Sequence, residues 1–177
     1  SCFFQLFTIL PVFYKTQWHL NEQYIGMLMA LNGLIIVCIE MVLVYSIEGT
    51  KPLTSFIRIG ILLVGAGYAL HNIFPASGWA AALCIIIMTV GEILSMPFMN
   101  SFWIKRTTEA NRGQYAGLYT IAWSIAQIAA PTLGSQVVQH SGYNTLCWLL
   151  AAICLVASIG FTMLGTRINK SKTEFAS

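Results

Sequence analysis

Apolar residues run along this chain in blocks of about twenty or more, separated by short polar or charged breaks. At about 1.5 Å per helical residue, such blocks are long enough to cross a hydrocarbon core roughly 30 Å thick. Reading from one break to the next predicts helices over residues 1–14, 24–47, 55–74, 79–104, 114–138 and 145–165, followed by a tail over 166–177. The first block, Cys2 to Tyr14 before Lys15, is too short to span. It has neither the basic leader nor the cleavage site of a signal peptide, so it is expected to be the remainder of a helix begun upstream. The connectors leave no room for a soluble domain. The expected fold class is therefore all-α: a polytopic membrane bundle of six transmembrane helices, the first truncated.

Composition supports the bilayer as solvent: 57% of residues are hydrophobic and 8% charged, with mean hydropathy +0.73, whereas soluble domains carry about 25% charged residues. The net charge of +3 comes from only nine Lys and Arg, which form no basic stripe for nucleic acid. Those charges do order the topology. Lys51, Arg58, Lys105, Arg106, Arg112, Arg167, Lys170 and Lys172 fall on one side of the six-span reading and Lys15 alone on the other. The positive-inside rule then puts the Glu48 and Lys105 connectors and the tail in the cytoplasm. Five cysteines (Cys2, Cys38, Cys84, Cys147, Cys154) lie in apolar runs without metal-ligand spacing and read as small buried apolar residues.

Two carboxylates lie inside predicted spans, each costing about 2.5 to 3.5 kcal/mol if placed at a helix centre. Glu92 is near the middle of 79–104, with no Lys, Arg or His within several turns on its own helix. Desolvation of such a group makes it a candidate to take up and release a proton. Pro97 cannot donate to the Ile93 carbonyl, so a kink is expected five residues on, opening a polar pocket. Ser95, Met96, Met99, Asn100 and Trp103 fall near the Glu92 face at helical spacing and offer a polar, polarizable wall. Glu40 lies about seven residues from the end of its helix, with Asn32 two turns earlier near the same face. Trp123 and Gln127, one turn apart in the fifth helix, are read as facing a cavity. Small residues, Ala122, Ala126, Ala130 and Gly134 in the fifth helix and Gly60, Gly65 and Gly67 in the third, are assigned to helix packing. His19, His71 and His140 fall at or beyond helix ends and are read as solvated.

No G-x-S-x-G or H-E-x-x-H string suggests an intramembrane hydrolase, and Thr89-Val90-Gly91-Glu92 lacks the rest of a potassium filter. An enzyme is not expected, and neither a cofactor nor a metal site. Gly91-Glu92 with Met96-Pro97, the loop Lys105 to Gly113, Gln114-Tyr115-Ala116-Gly117, and Pro131-Thr132-Leu133-Gly134 together resemble the C-terminal six helices of major facilitator superfamily transporters. The cytoplasmic loop signature of that family is reduced here to Glu48 and Lys51, and Glu40 stands where the resemblance calls for a neutral polar residue. The resemblance implies half of a twelve-helix transporter, residues 1–165, whose partner is a missing N-terminal six-helix half of the same chain. It also implies a solute site near the midplane and alternating access.

The functional expectation is secondary transport of a small organic solute, proton-coupled, by a multi-pass protein of the plasma (inner) membrane with its C-terminus cytoplasmic. Glu92 and Glu40 are the candidate proton or cation coupling residues. Asn32, Ser95, Met96, Asn100, Trp123 and Gln127 are the candidate cavity lining. Solute, protons and lipid are the expected partners, and nucleic acid is not. The alternative is a non-transporting membrane scaffold or subunit whose acids pair with another protein's helices. Orientation is directly testable in a cysteine-free background of the full-length protein. A single cysteine at Ser77 should react with a membrane-impermeant maleimide added outside intact cells, and one at Thr108 should react only after permeabilisation. The reverse pattern would invert the topology.

Overall fold

A computed structural model describes residues 2–47 and 49–174, with side chains to residue 166. The expectations resting on Glu48, and on the side chains of Arg167, Lys170 and Lys172, lie outside the described residues. Among the described residues every regular element is a helix: α1 (Cys2–Thr8), α2 (Leu10–Thr16), α3 (Glu22–Ile47), α4 (Leu53–Ile73), α5 (Gly78–Ile104) and α6 (Arg112–Glu174). Four of them, α3 to α6, are long and apolar enough to cross a membrane.

Local chemistry sets the breaks. α1 and α2 form one interrupted helix, in which Ile9 keeps near-helical angles and bonds both ways, to Gln5 O at 3.0 Å and from Phe13 N at 2.8 Å. Pro11 supplies no N–H to the Phe7 carbonyl, which accounts for the interruption. α4 begins after Pro52, and α5 is capped by Ser77, whose hydroxyl accepts the Ala80 N–H at 3.3 Å. The connector expected over 139–144 shrinks to a single residue. The helix runs to 141 and resumes at 143, with Gly142 at φ 81° and ψ 170°, a conformation essentially confined to glycine. α6 thus has two arms, 112–141 and 143–174, and the redirection needs only Gly142 because no other residue there leaves helical geometry.

α4 is the hub, packing on α5 and on the second arm of α6 through glycines. A methyl group on Gly60 would lie 2.5 Å from the Gly91 carbonyl oxygen and 2.8 Å from Ser95 N, so the backbones of α4 and α5 touch there. Gly65 admits Cys154 of α6, Gly67 admits Met88 of α5, and Phe56 stacks on Phe98 at 4.6 Å. In lipid, where burial of apolar surface supplies no drive between helices, this close approach is what dispersion requires. The small-residue stripe of α6 is used for packing only in part. Ala130 and Gly134 pack against Gln5 and Ile9 of the first helix pair, while Ala122 is exposed. α3 lies at the periphery, with Leu34, Val37, Met41 and Val42 exposed, a surface suited to lipid.

Two sequence expectations are corrected here. His71 is not solvated but 3% exposed, because it lies on the inner side of the last turn of α4, facing α2. Its Nδ1 contacts Gly67 O at 2.6 Å, and a carbonyl can only accept, so Nδ1 carries the proton. Nε2 of the neutral ring then accepts from the Tyr14 hydroxyl at 2.6 Å, and Phe13 and Trp18 pack around the pair. Cys38 is exposed on α3 and Cys2 half-buried rather than buried, while Cys84, Cys147 and Cys154 are interior.

Gly60→Val should therefore cost about 3 kcal/mol or more through overpacking against backbone, read as a large fall in the melting temperature of the purified full-length protein. Gly26→Ala, with open space around it, should leave the melting temperature unchanged or slightly raised. Equal effects of the two would remove the α4–α5 contact from its place in the fold.

Candidate functional site

The closeness of α4 and α5 fixes how α5 is turned. Gly91 faces the α4 backbone, where an added methyl group would meet Gly60 O at 2.7 Å and Val64 N at 2.9 Å. The next residue, Glu92, is carried round toward α3 at about 100° per residue. There Asn32 of α3 donates from Nδ2 to Glu92 Oε2 at 3.0 Å and to Thr89 Oγ1 at 2.8 Å. The Thr89 hydroxyl in turn donates to Ile85 O at 2.7 Å, leaving its lone pairs for Asn32. The trio is almost sealed, with Glu92 4%, Asn32 1% and Thr89 0% exposed.

Among the described residues Glu92 has no ion-pair partner. Among the described residues the ion pair is Lys15 with Glu22, at the α2–α3 connection. A buried carboxyl group held by one amide and no positive charge needs a proton or a bound cation to be neutral. Such an arrangement can change its occupancy when water reaches it, which an Arg-paired carboxylate could not do as cheaply.

A second polar place lies apart from the first. Glu40 of α3, half-buried, lines a groove of about 350 Å³ with Met96, Pro97 and Asn100 of α5 and Tyr119, Thr120 and Trp123 of α6. Pro97 thus forms part of a pocket wall, but Glu92 is not among the groove's lining residues. Tyr119 stacks between Trp103 (5.7 Å) and Trp123 (6.0 Å), and Phe4 meets Trp123 edge-on at 5.1 Å. The Trp103 indole donates to Asn100 Oδ1 at 2.9 Å.

The candidate residues therefore divide. Asn32 and Glu92 are brought together in the buried trio, and Glu40, Met96, Asn100 and Trp123 in the groove. Ser95 lies in neither: it is fully buried in the α4–α5 seam, its hydroxyl donating to Gly91 O at 2.7 Å. Gln127 is exposed and does not line the groove. Sequence reasoning missed Thr89 as a partner of Asn32, and Tyr119 as the centre of the aromatic stack. The four-residue spacing of Tyr119 and Trp123 was the available signal for the second.

With this geometry in view, the comparison with known sequences is decisive for family. The pattern of the Major Facilitator Superfamily matches residues 3–176. This chain belongs to the Major Facilitator Superfamily. It is an integral multi-pass membrane protein, by family and by its apolar helices. It is similar to a protein of Planococcus maritimus named a Na(+), Li(+), K(+)/H(+) antiporter, at 27% identity, with 73% of this chain and 33% of that protein covered. The superfamily chain described here thus spans about a third of the length of the curated relative it matches. No solved structure gives a significant match.

The Asn32–Glu92 bond makes a quantitative prediction. In unfolding measurements on the full-length protein, Asn32→Ala should cost about 1 to 3 kcal/mol, because it leaves a buried acid unpartnered. In the double-mutant cycle with Glu92→Leu, which removes the acceptor, the two effects should be non-additive by at least about 0.5 kcal/mol. Strict additivity would mean the contact carries no energy.

Proposed function

We propose that this superfamily chain is the C-terminal six-helix half of a secondary carrier that moves a small organic solute by alternating access, coupled to protons, with Glu92 as the proton site. The single observation that carries this reading is the sealed Asn32–Glu92 pair without a cation among the described residues. Family membership supports membrane transport in general, and the similarity to a protein named a cation/proton antiporter favours proton coupling over other driving forces.

The mechanism follows from electrostatics. A charged carboxyl group in the bilayer interior costs about 2.5 to 3.5 kcal/mol, so the half is free to rock when Glu92 is neutral and is held back when it is charged and empty. Protonation from one side and release to the other, each with the site open to water, would link proton movement to the conformational cycle. Asn32 suits both states, since its amide can donate to a carboxylate and accept from a carboxylic acid. Glu40, in the groove beside Asn100 and Trp123, is the second acid on the solute path, with Met96 in the same wall. On this reading the protein resides in the plasma membrane with the chain's tail in the cytoplasm.

Full-length protein in vesicles should show solute flux driven by an imposed proton gradient. Glu92→Gln, at equal abundance, should lose that driven flux by about tenfold or more, equivalent to ~1.4 kcal/mol, while retaining solute exchange without a gradient. Undiminished gradient-driven flux in Glu92→Gln would remove Glu92 from the coupling step.

A further inference from the structure

We infer that the Glu40 groove is a recognition site for an organic monocation bearing an aromatic or flat apolar group. The inference rests on the carrier reading above and names the chemical class of the solute. The half-buried acid of α3 and the Tyr119 and Trp123 rings of α6 line one groove of about 350 Å³, within the range of small-ligand pockets. The acid has no ion-pair partner among the described residues, and Arg106, just beyond the end of α5, lies 4.3 Å over the Phe102 ring.

The aromatic wall is preorganised. Tyr119 and Trp123 lie near-parallel at 22°, and Trp103 extends the stack at 28° to Tyr119. Phe4 buttresses the far end, and the Trp103 indole is pinned to Asn100. Rings held this way lose little freedom on binding; the faces of Tyr119 are taken up by the stack, so Trp123 is the ring left for a cation, and an indole attracts cations most strongly. Because the indole N–H can only donate, Asn100 turns its oxygen to Trp103 and keeps its amide N–H groups for a polar substituent. Met96 adds a polarizable, adaptable contact.

Charge decides the class. An anion would meet Glu40 unscreened, and a neutral solute would leave the acid uncompensated; an inorganic cation would leave the aromatic wall unused. Glu40 thus recognises the solute's charge while Glu92, sealed away in its own hydrogen-bonded trio, holds the proton.

Binding to the purified full-length protein in detergent, measured by equilibrium dialysis, separates this from transport. The probes are benzyltrimethylammonium and N,N-dimethylbenzamide, a neutral aromatic of similar size. Wild type should prefer the cation by about tenfold, or ~1.4 kcal/mol. Glu40→Gln should erase that preference while still binding the amide, which also reports that the groove has folded. Thr120→Lys, at an exposed position of the same groove, should erase it with Glu40 intact. Trp123→Leu should weaken both probes several-fold, and Trp123→Phe much less. Absence of a cation preference in wild type, or its survival in both Glu40→Gln and Thr120→Lys, would overturn the assignment. Because no proton gradient enters the measurement, such a result leaves the coupling role of Glu92 standing, and absent driven flux would not mimic it.

Discussion

The backbone contact between Gly60 of α4 and Gly91 of α5 is the constraint from which the rest of the arrangement follows. A helix pair in lipid gains little from burying apolar surface, so its stability depends on how closely the backbones can approach. At this crossing even one methyl group would fall within 3 Å of opposing backbone atoms. The contact fixes the rotation of α5 about its axis, and with it the direction of every side chain on that helix. Gly91 and Ser95 go into the seam; Glu92 is turned toward α3 and meets Asn32; Met96, Pro97 and Asn100 face the space left between α3 and the first arm of α6.

One consequence is that two acids of the α3–α5 region lie in different surroundings, to which the proposed function gives different roles. Glu92 is sealed, held by an amide and backed by Thr89, and its charge can be balanced only by something small. Glu40 is open to a groove that has an aromatic wall and room for a molecule. On the proposed function, this separation lets proton and solute bind without displacing one another, linked through the helix that carries Asn32 and Glu40 eight residues apart. α3 is also the least buried of the long helices.

Much of the helical pattern was legible because the bilayer imposes a length on apolar blocks, and the price of an intramembrane carboxylate marked out Glu92 and Glu40 directly. What was not legible depended on register between helices. Asn32 was read alongside Glu40 on its own helix, yet its nearest polar partners are Glu92 and Thr89 across the interface. Ser95, three residues from Glu92, looked like a member of the same wall, but the space opened by Gly60 draws it into the seam. The 139–144 connector looked like a loop because Gly142 and its polar neighbours break the apolar run, whereas one residue in a glycine-only conformation suffices. His71, read as solvated from its place at a helix end, is interior because that end packs against Tyr14.

The central claim is that Glu92 holds a proton inside the closed bundle, bonded to Asn32. Infrared difference spectroscopy of the full-length protein in lipid tests it most directly, by following the carbonyl stretch of protonated carboxyl groups through a pH titration. The account predicts a titrating carboxyl band that disappears in Glu92→Gln and changes frequency in Asn32→Ala. A titrating band that is unchanged in Glu92→Gln, or no protonated carboxyl band at any pH at which the protein stays folded, would contradict it.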